Sequence, residues 1–186
     1  FIYQRHFSYL DSYGNVHWNL RVIRSINFKL YYIKMKNSET IKKLGLVFPP
    51  SPKPLGVYRP TLVVDRFLYV SGHGPLKNDG SLIKGKVGSD LDREEGKTAA
   101  RQVGLTMLST IINNYGNIDN IKRVVKVLGM VNAIPEFKDH PYVINGASDL
   151  IGNIFKIKGV HTRFAVGVSS LPLNASVELT SIFALK

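Results

Sequence analysis

Arg163 and Glu178 have the residue types and the spacing that could act together in chemistry. A guanidinium ion binds a carboxylate through two parallel hydrogen bonds, and a glutamate can position or deprotonate a water molecule. If the segments that contain them form a hairpin centred between Ser170 and Leu171, its register places Arg163 opposite Glu178 on one face. A surface salt bridge worth under ~1 kcal/mol is the simpler interpretation. Spacing alone leaves both interpretations open.

Motifs for most other kinds of catalysis are missing from the sequence. It has no Gly-x-Ser-x-Gly elbow, phosphate-binding loop, dinucleotide fingerprint or His-x-x-x-His zinc site. It has no cysteine, which excludes disulfides, thiolate nucleophiles and cysteine-containing metal sites. The sequence therefore predicts neither a bound metal nor a cofactor. Local spacing defines no two-histidine ribonuclease centre, because the histidines are scattered: His6, His17, His73, His140 and His161.

Several short segments have the composition and length of strands. The first two flank Asp65-Arg66, which predicts a hairpin. The last two flank Pro172 and Asn174, which suit a turn. The apolar, β-branched run between these pairs predicts a buried strand. The predicted strands are Thr61–Val64 and residues 67–71, 124–131, 163–169 and 176–185.

Two longer segments have helical periodicity. Asp92 and Glu95 have the spacing of a capping arrangement, and apolar residues recur at helical spacing from there to Gly116. Pro141 suits the start of the second helix, whose apolar face ends near Gly159. Both patterns predict amphipathic helices.

The elements follow one another in the order ββαβαββ, which predicts a single α+β domain. Two long helices with one apolar face each can both cover one side of a mixed sheet. The opposite side of the sheet then needs another partner. The pattern therefore predicts oligomerisation.

The sequence is basic, with a formal net charge of +12. Residues 1–34 contain five Lys and Arg and a single acid, Asp11, so +8 belongs to the remainder. A basic surface attracts nucleic acid, anionic membranes or small anions, and solubility is the simpler explanation. No apolar stretch reaches the roughly 18 residues that a membrane span needs. We therefore expect no membrane-spanning segment.

Residues 1–34 differ in composition from the rest, and Met35 stands directly before the first well-organised segment. Alternation of apolar residues over 16–22 could make a strand, while few acids and scattered Arg could make a transit peptide. We interpret residues 1–34 as a basic extension, which could be a presequence or a gene-model artefact, and 36–186 as the folded domain. A transit peptide would imply an organelle; otherwise the absence of cysteine favours the cytoplasm.

From about residue 36 to its end, the chain resembles the RidA/YjgF family, the liver perchloric-acid-soluble proteins. Each matching dipeptide is unspecific, but the ordered set together with the ββαβαββ pattern is specific. Residues 119–150 resemble a less-studied branch rather than the best-known deaminases. The ordered set comprises Tyr58, Ser71-Gly72 followed by a polar residue and Pro75, Arg163, and Leu171-Pro172 leading into Val177-Glu178-Leu179.

The resemblance implies a chorismate-mutase-like fold, with a mixed β-sheet, two long helices on one face, and a homotrimer with clefts between subunits. It implies that Arg163 grips the carboxylate of a small metabolite. In deaminating members, a reactive 2-imino or enamine acid is hydrolysed to a 2-keto acid and ammonia. On this basis we expect Glu178 to position or deprotonate the water, with backbone groups around Gly72 as supporting hydrogen-bond partners.

The same resemblance predicts further binding residues. Ser71 would orient the ligand and Tyr58 could pack over it, although a core or interface tyrosine is equally open. His73 replaces a usual glutamine and could add a titrating group or narrow the pocket, or be only a polar residue at a strand end. Ala165 stands where many members carry cysteine. Asn145 could reach the cleft, although capping, surface exposure and interface packing are simpler interpretations.

Two other functions stay open. Family members are often named endoribonucleases or translation inhibitors, and the positive charge makes RNA contact physically possible. Alternatively, Arg163 could hold a metabolite acid at the subunit cleft without turnover. We rank hydrolytic deamination first and RNA binding second.

Overall fold

The computed structural model describes residues 9–10, 16–17 and 35–186. It divides the chain into two compact units, Phe1–Met35 and Lys36–Lys186. Each unit is described by itself. In the described part of the chain, no helix is both long enough and apolar enough to cross a membrane.

The first unit contains two short strands, β1 (Tyr9–Leu10) and β2 (Val16–His17). They pair in antiparallel fashion, with Tyr9 opposite His17. The rest of the strand predicted over 16–22 lies outside the described residues. So does the remainder of the segment that we interpreted as a presequence.

The second unit has the predicted α+β architecture and the predicted order ββαβαββ, which follows one short helix. Its sheet is mixed, and two long helices pack against it. The elements are α1 (Asn37–Lys43), β3 (Thr61–Val64), β4 (Phe67–His73), α2 (Arg93–Asn114), β5 (Ile121–Asn132), α3 (His140–Phe155), β6 (Thr162–Val168) and β7 (Val177–Leu185).

Helix α2 begins at the capping arrangement that the sequence predicts. The Asp92 carboxylate accepts hydrogen bonds from the backbone N–H groups of Glu94 and Glu95, both at 2.8 Å. The Glu95 carboxylate accepts in return from the Asp92 backbone N–H at 2.8 Å. Such a cap typically stabilises a helix by about 1 kcal/mol. The helix ends before Gly116, whose φ of +89° favours glycine.

The five strands of the second unit lie in the order β3-β4-β7-β5-β6. Strands β5 and β6 are parallel, and the other neighbours are antiparallel. Strand β7 is central, and its side chains alternate strictly between buried and half-buried. Val177, Leu179 and Phe183 point into the core beneath the helices. Glu178 and Thr180 therefore point to the opposite side, which we call the open face.

Among the residues that the structure describes, the open face carries large apolar side chains that are exposed to solvent. Leu62 lies opposite Tyr69, and Phe67 lies opposite Ala184. Leu62, Tyr69 and Phe67 are each at least 40% exposed. An apolar sheet surface of this kind is typical of a protein interface.

The predicted hairpin between residues 163–169 and 176–185 is wrong. Strand β6 pairs in parallel with β5, while β7 lies on the other side of β5. The physical reason is the crossover through α3, which returns the chain parallel to β5, as strand–helix–strand units do. Arg163 consequently lies opposite Val127, and Glu178 lies opposite Met130.

Helices α2 and α3 cross in close backbone contact at Gly146. A Cβ atom at this position would collide with the backbone carbonyl oxygen of Lys97. Gly152, on the same helix, has open space around the corresponding position. Only the first glycine is therefore required by packing.

We predict that Gly146→Ala lowers the free energy of unfolding by ~1–3 kcal/mol, because overpacking must separate two backbones. The matched variant Gly152→Ala should raise it by roughly 0.5–1 kcal/mol, because alanine restricts the unfolded chain and favours the helix. Urea unfolding of both variants measures the difference. Equal stability of the two variants would contradict the close crossing.

Candidate functional site

The carboxylate of Glu178 lies against the backbone of Gly72 on the open face. A Cβ atom at residue 72 would collide with Glu178 Oε1. The absence of a side chain at Gly72 is therefore what admits the carboxylate. The register of β4 against β7 shifts between Val70 and His73, so a bulge places Gly72 beside Glu178.

Glu178 is half-buried, and its carboxylate forms no hydrogen bond or ion pair with any residue that the structure describes. Burial removes water from the carboxylate, which raises the pKa of Glu178 above its ordinary value of 4.5. A carboxylate with a raised pKa is a stronger base. It can therefore accept a proton from a polarised water molecule more readily than a solvated glutamate.

Ser71 precedes Gly72 on β4, and Tyr58 lies in the loop before β3. The Ser71 hydroxyl donates a hydrogen bond to the backbone carbonyl of Arg59 at 2.7 Å, which holds the preceding loop against the strand. Tyr58, the neighbour of Arg59, is 50% exposed. A groove of about 430 Å³ runs along the open face and is lined by residues that include Arg59, Tyr69, Ser71, Lys126 and Thr180.

Arg163 lies on β6, at the other face of the sheet. Its Nη1 donates to Asn145 Oδ1 at 2.7 Å and to Ser148 Oγ at 3.2 Å, both on α3. Ser148 Oγ lies 3.3 Å from Nε2 of His161, whose Nδ1 lies 2.6 Å from the backbone carbonyl of Gly159. Arg163 itself is exposed to solvent. Asn145, which the sequence suggested could reach the cleft, thus contacts Arg163 directly.

The structure does not bring Arg163 and Glu178 together within one chain. Residues opposite each other on neighbouring strands share a face, so Arg163 lies on the side of the buried Val127. Glu178 lies on the side of the half-buried Met130. The two charged groups thus occupy opposite faces of the sheet.

The side chain of His73 is buried in the core, and Ala165 is half-buried. His73 is 4% exposed, its Nδ1 lies 2.7 Å from the Ser71 carbonyl, and its Nε2 lies 2.8 Å from Thr110 Oγ1. Burial lowers the pKa of His73, although the hydrogen bond to Ser71 partly opposes this effect. Ala165 packs against the core. We therefore assign His73 a structural role and leave it out of the proposed site.

Neither Ser148 nor His161 was predicted from the sequence to belong to the site. Ser148 follows Asn145 by three residues, which places both side chains on one face of α3. His161 precedes Arg163 by two residues, which is strand spacing for the same face. Both signals were present in the sequence. In the part of the chain that the structure describes, no three His, Cys, Asp or Glu side chains are grouped so that they could hold a metal ion.

We predict that Glu178→Gln raises the stability of the folded state at neutral pH. Because the pKa of Glu178 is raised in the folded state, the native chain binds the proton more tightly than the unfolded chain does. The stability that the protonated Glu178 carboxyl contributes is therefore fully present below pH 4.5, and it is lost as pH rises through the raised pKa of the folded state. The glutamine variant should lack this loss.

Thermal unfolding from pH 4 to pH 8 measures this effect. Glu136→Gln is the matched control, because it removes the same charge from an exposed loop position. A native chain whose pH dependence matches that of Glu178→Gln would show that burial of the carboxylate costs nothing.

Comparisons with known proteins agree with this architecture. A sequence model of the family described as "YjgF/chorismate_mutase-like, putative endoribonuclease" matches residues 39–185. Protein TCP17 of Trypanosoma cruzi is 38% identical over 146 residues, which cover 78% of this chain and 91% of that protein.

Two solved structures share the fold closely. Atu1372 of Agrobacterium tumefaciens, described as of unknown function, has 34% identity and a TM-score of 0.74, covering 86% of this chain and 99% of its own. A protein of Shewanella oneidensis, described as a "putative endoribonuclease", has 28% identity and a TM-score of 0.77, covering 81% of this chain and 100% of its own. The match of the family model over most of the chain, together with the close identity to TCP17, shows that this protein belongs to the YjgF (RidA) family.

Proposed function

We propose that this protein hydrolyses reactive 2-imino acids to 2-keto acids and ammonia, at a cleft between subunits of a homotrimer. The observation that carries the proposal is the carboxylate of Glu178. It is half-buried against Gly72, has no partner among the described residues, and has a raised pKa. A buried carboxylate left without a partner weakens the fold, and such groups are typical of functional sites.

Arg163 supplies the complementary group. Its side chain is exposed, and only Nη1 is engaged with Asn145 and Ser148. The guanidinium is planar and always charged, so it fits a carboxylate through two parallel hydrogen bonds. In the proposed reaction Arg163 binds the substrate carboxylate and thereby fixes the position of the neighbouring imine carbon.

The hydrolysis follows from these two roles. Glu178 accepts a proton from a water molecule while the water oxygen forms a bond to the electrophilic imine carbon, and the imine nitrogen takes up a proton. Glu178 then returns its proton to the amine nitrogen of the tetrahedral carbinolamine, and the hydroxyl proton passes to solvent in place of the proton that the imine nitrogen took up. The C–N bond breaks and ammonia leaves. The oxygen that came from water remains as the keto group. One water is consumed for each ammonia released, and no oxidant is needed.

The composite site requires more than one subunit, because Arg163 and Glu178 lie on opposite faces of the same sheet. The apolar open face supports such an assembly, since association would bury Leu62, Phe67 and Tyr69. A ring in which one face of each subunit meets the edge strand of the next would repeat the site at every interface. A homotrimer is the assembly that we propose.

RNA binding is a second candidate function. The net charge is +12, and the open-face groove contains Arg59 and Lys126. Phosphate contacts would release counterions, so RNA binding should weaken steeply with added salt. Hydrolysis of a compact imine should depend on salt much less. A salt titration of each activity separates the two functions.

We predict that the native chain accelerates release of ammonia from 2-iminopropanoate generated in place by an amino-acid oxidase. Arg163→Lys should lower kcat/KM by roughly ten- to a hundredfold, because lysine lacks the bidentate fork. Arg101→Lys is the matched control, because Arg101 lies on the exposed part of α2. Full activity of both Arg163→Lys and Arg163→Ala would show that Arg163 does not bind the substrate. No acceleration by the native chain would favour RNA or ligand binding.

We also predict that two inactive variants complement each other. Arg163→Ala and Glu178→Gln, co-expressed with different tags, should form mixed oligomers in which about a quarter of the interfaces combine both native groups. Ammonia release should therefore recover to about a quarter of the native rate. Each variant purified alone should stay inactive. A mixed oligomer no more active than its parents would show that the two residues do not meet across an interface.

A further inference from the structure

A series of hydrogen bonds connects Arg163 through Ser148 to His161, and the donor and acceptor of each bond can be assigned. The Gly159 carbonyl can only accept, so Nδ1 of His161 carries the proton at this 2.6 Å contact. In the neutral imidazole Nε2 is then an acceptor, and the Ser148 hydroxyl donates to it. The lone pairs of Ser148 Oγ remain for Nη1 of Arg163, which can only donate. Every contact in the series is consistent with this single arrangement.

The arrangement uses one nitrogen of the guanidinium and leaves the others available. Both hydrogens of Nη1 are engaged, one by Asn145 and one by Ser148. Nε and Nη2 have no hydrogen-bond partner among residues 35–186. Those two nitrogens form the edge that binds a carboxylate with two parallel hydrogen bonds. The guanidinium is thus held from one side and open on the other.

The groups that hold Arg163 carry no negative charge. Asn145 and Ser148 are neutral, and the described ion pairs do not include Arg163. A carboxylate in their place would compete with the ligand for the same cation. Neutral acceptors fix the orientation of the guanidinium while its full positive charge remains for the ligand.

We propose that Ser148 and His161 are positioning residues, which orient Arg163 so that its Nε–Nη2 edge faces a ligand carboxylate. This inference rests on the proposed role of Arg163 in binding that carboxylate. His161 acts on Arg163 only through the Ser148 hydroxyl. The pair holds the guanidinium in one orientation before the ligand binds. Without it, the flexible arginine side chain would lose conformational entropy on each binding event.

The role predicts a distinctive kinetic pattern. Ser148 and His161 orient Arg163 before the substrate binds, and the bound carboxylate still receives both hydrogen bonds when they are removed. Their loss should therefore raise KM and leave kcat nearly unchanged. A variant that merely unfolds part of the protein would lower the amount of active enzyme, and hence the apparent kcat. The two explanations are therefore separable by the kinetic constants.

The experiment compares four single variants and one double variant with the native chain. Ser148→Ala removes the hydroxyl, Ser148→Thr keeps it, and His161→Phe keeps a ring but removes both nitrogens. Thr162→Val is the matched control, because the Thr162 hydroxyl beside Arg163 donates to the Val125 carbonyl instead. KM and kcat are measured with 2-iminopropanoate, and Kd is measured with pyruvate as a carboxylate that cannot be hydrolysed.

Ser148→Ala and His161→Phe should each raise KM and the pyruvate Kd roughly tenfold, with kcat changed less than about twofold. Ser148→Thr and Thr162→Val should remain close to the native chain. The double variant Ser148→Ala/His161→Phe should be no worse than Ser148→Ala, because both residues act along one path. Unchanged KM and Kd in both deletion variants would overturn the proposal.

Nitrogen NMR of the native chain tests the arrangement without relying on activity. His161 should carry its proton on Nδ1, and the two Nη groups of Arg163 should give separate signals that merge in Ser148→Ala. A proton on Nε2, or merged signals already in the native chain, would also overturn the proposal. If these signals are as expected but the native chain neither hydrolyses 2-iminopropanoate nor binds pyruvate, the proposed function fails while the arrangement around Arg163 stands.

Discussion

The central position of β7 is the constraint on which the rest of the structure depends. With β4 on one side and β5 on the other, its alternating side chains must divide between the helices and the open face. This division sends Glu178 to the open face. The crossover through α3 leaves only the outer edge of β5 for β6, which carries Arg163. The positions of both charged groups therefore follow from the pairing of β7 between β4 and β5.

Local patterns in the sequence predict the elements but not all of their partners. The helical spacing of apolar residues and the N-terminal cap identify α2. The cap is local, because Asp92 and Glu95 bond within one turn of the helix. The predicted hairpin between the last two strands was wrong, because the prediction of its register assumed that strands consecutive in sequence pair with each other. The strand–helix–strand order before β6 already favoured a parallel crossover. The buried strand β7 has a neighbouring strand on each side, β4 and β5. This pairing depends on the whole sheet and not on any short segment.

The site shows the same division between residue type and position. The family pattern identifies Arg163, Glu178 and Gly72, and the structure places the last two in direct contact. Val70 and His73 both point into the core although they are three residues apart, because the bulge in β4 breaks the alternation between them. A single sequence does not show where a bulge falls. It therefore does not show which of several adjacent polar residues can reach a ligand.

Separation of the two charges has a chemical consequence. Had Arg163 paired with Glu178 as the hairpin required, the nearby cation would have lowered the pKa of the carboxyl group and made it a weaker base. The carboxylate would also have occupied the fork that a ligand needs. On opposite faces, neither group satisfies the other: Glu178 keeps a pKa raised by burial, and Arg163 keeps an open edge held by neutral partners. The topology thus leaves a cation with an open edge and a carboxylate with a raised pKa in one chain, and under the proposed function a second copy brings them to the same substrate molecule.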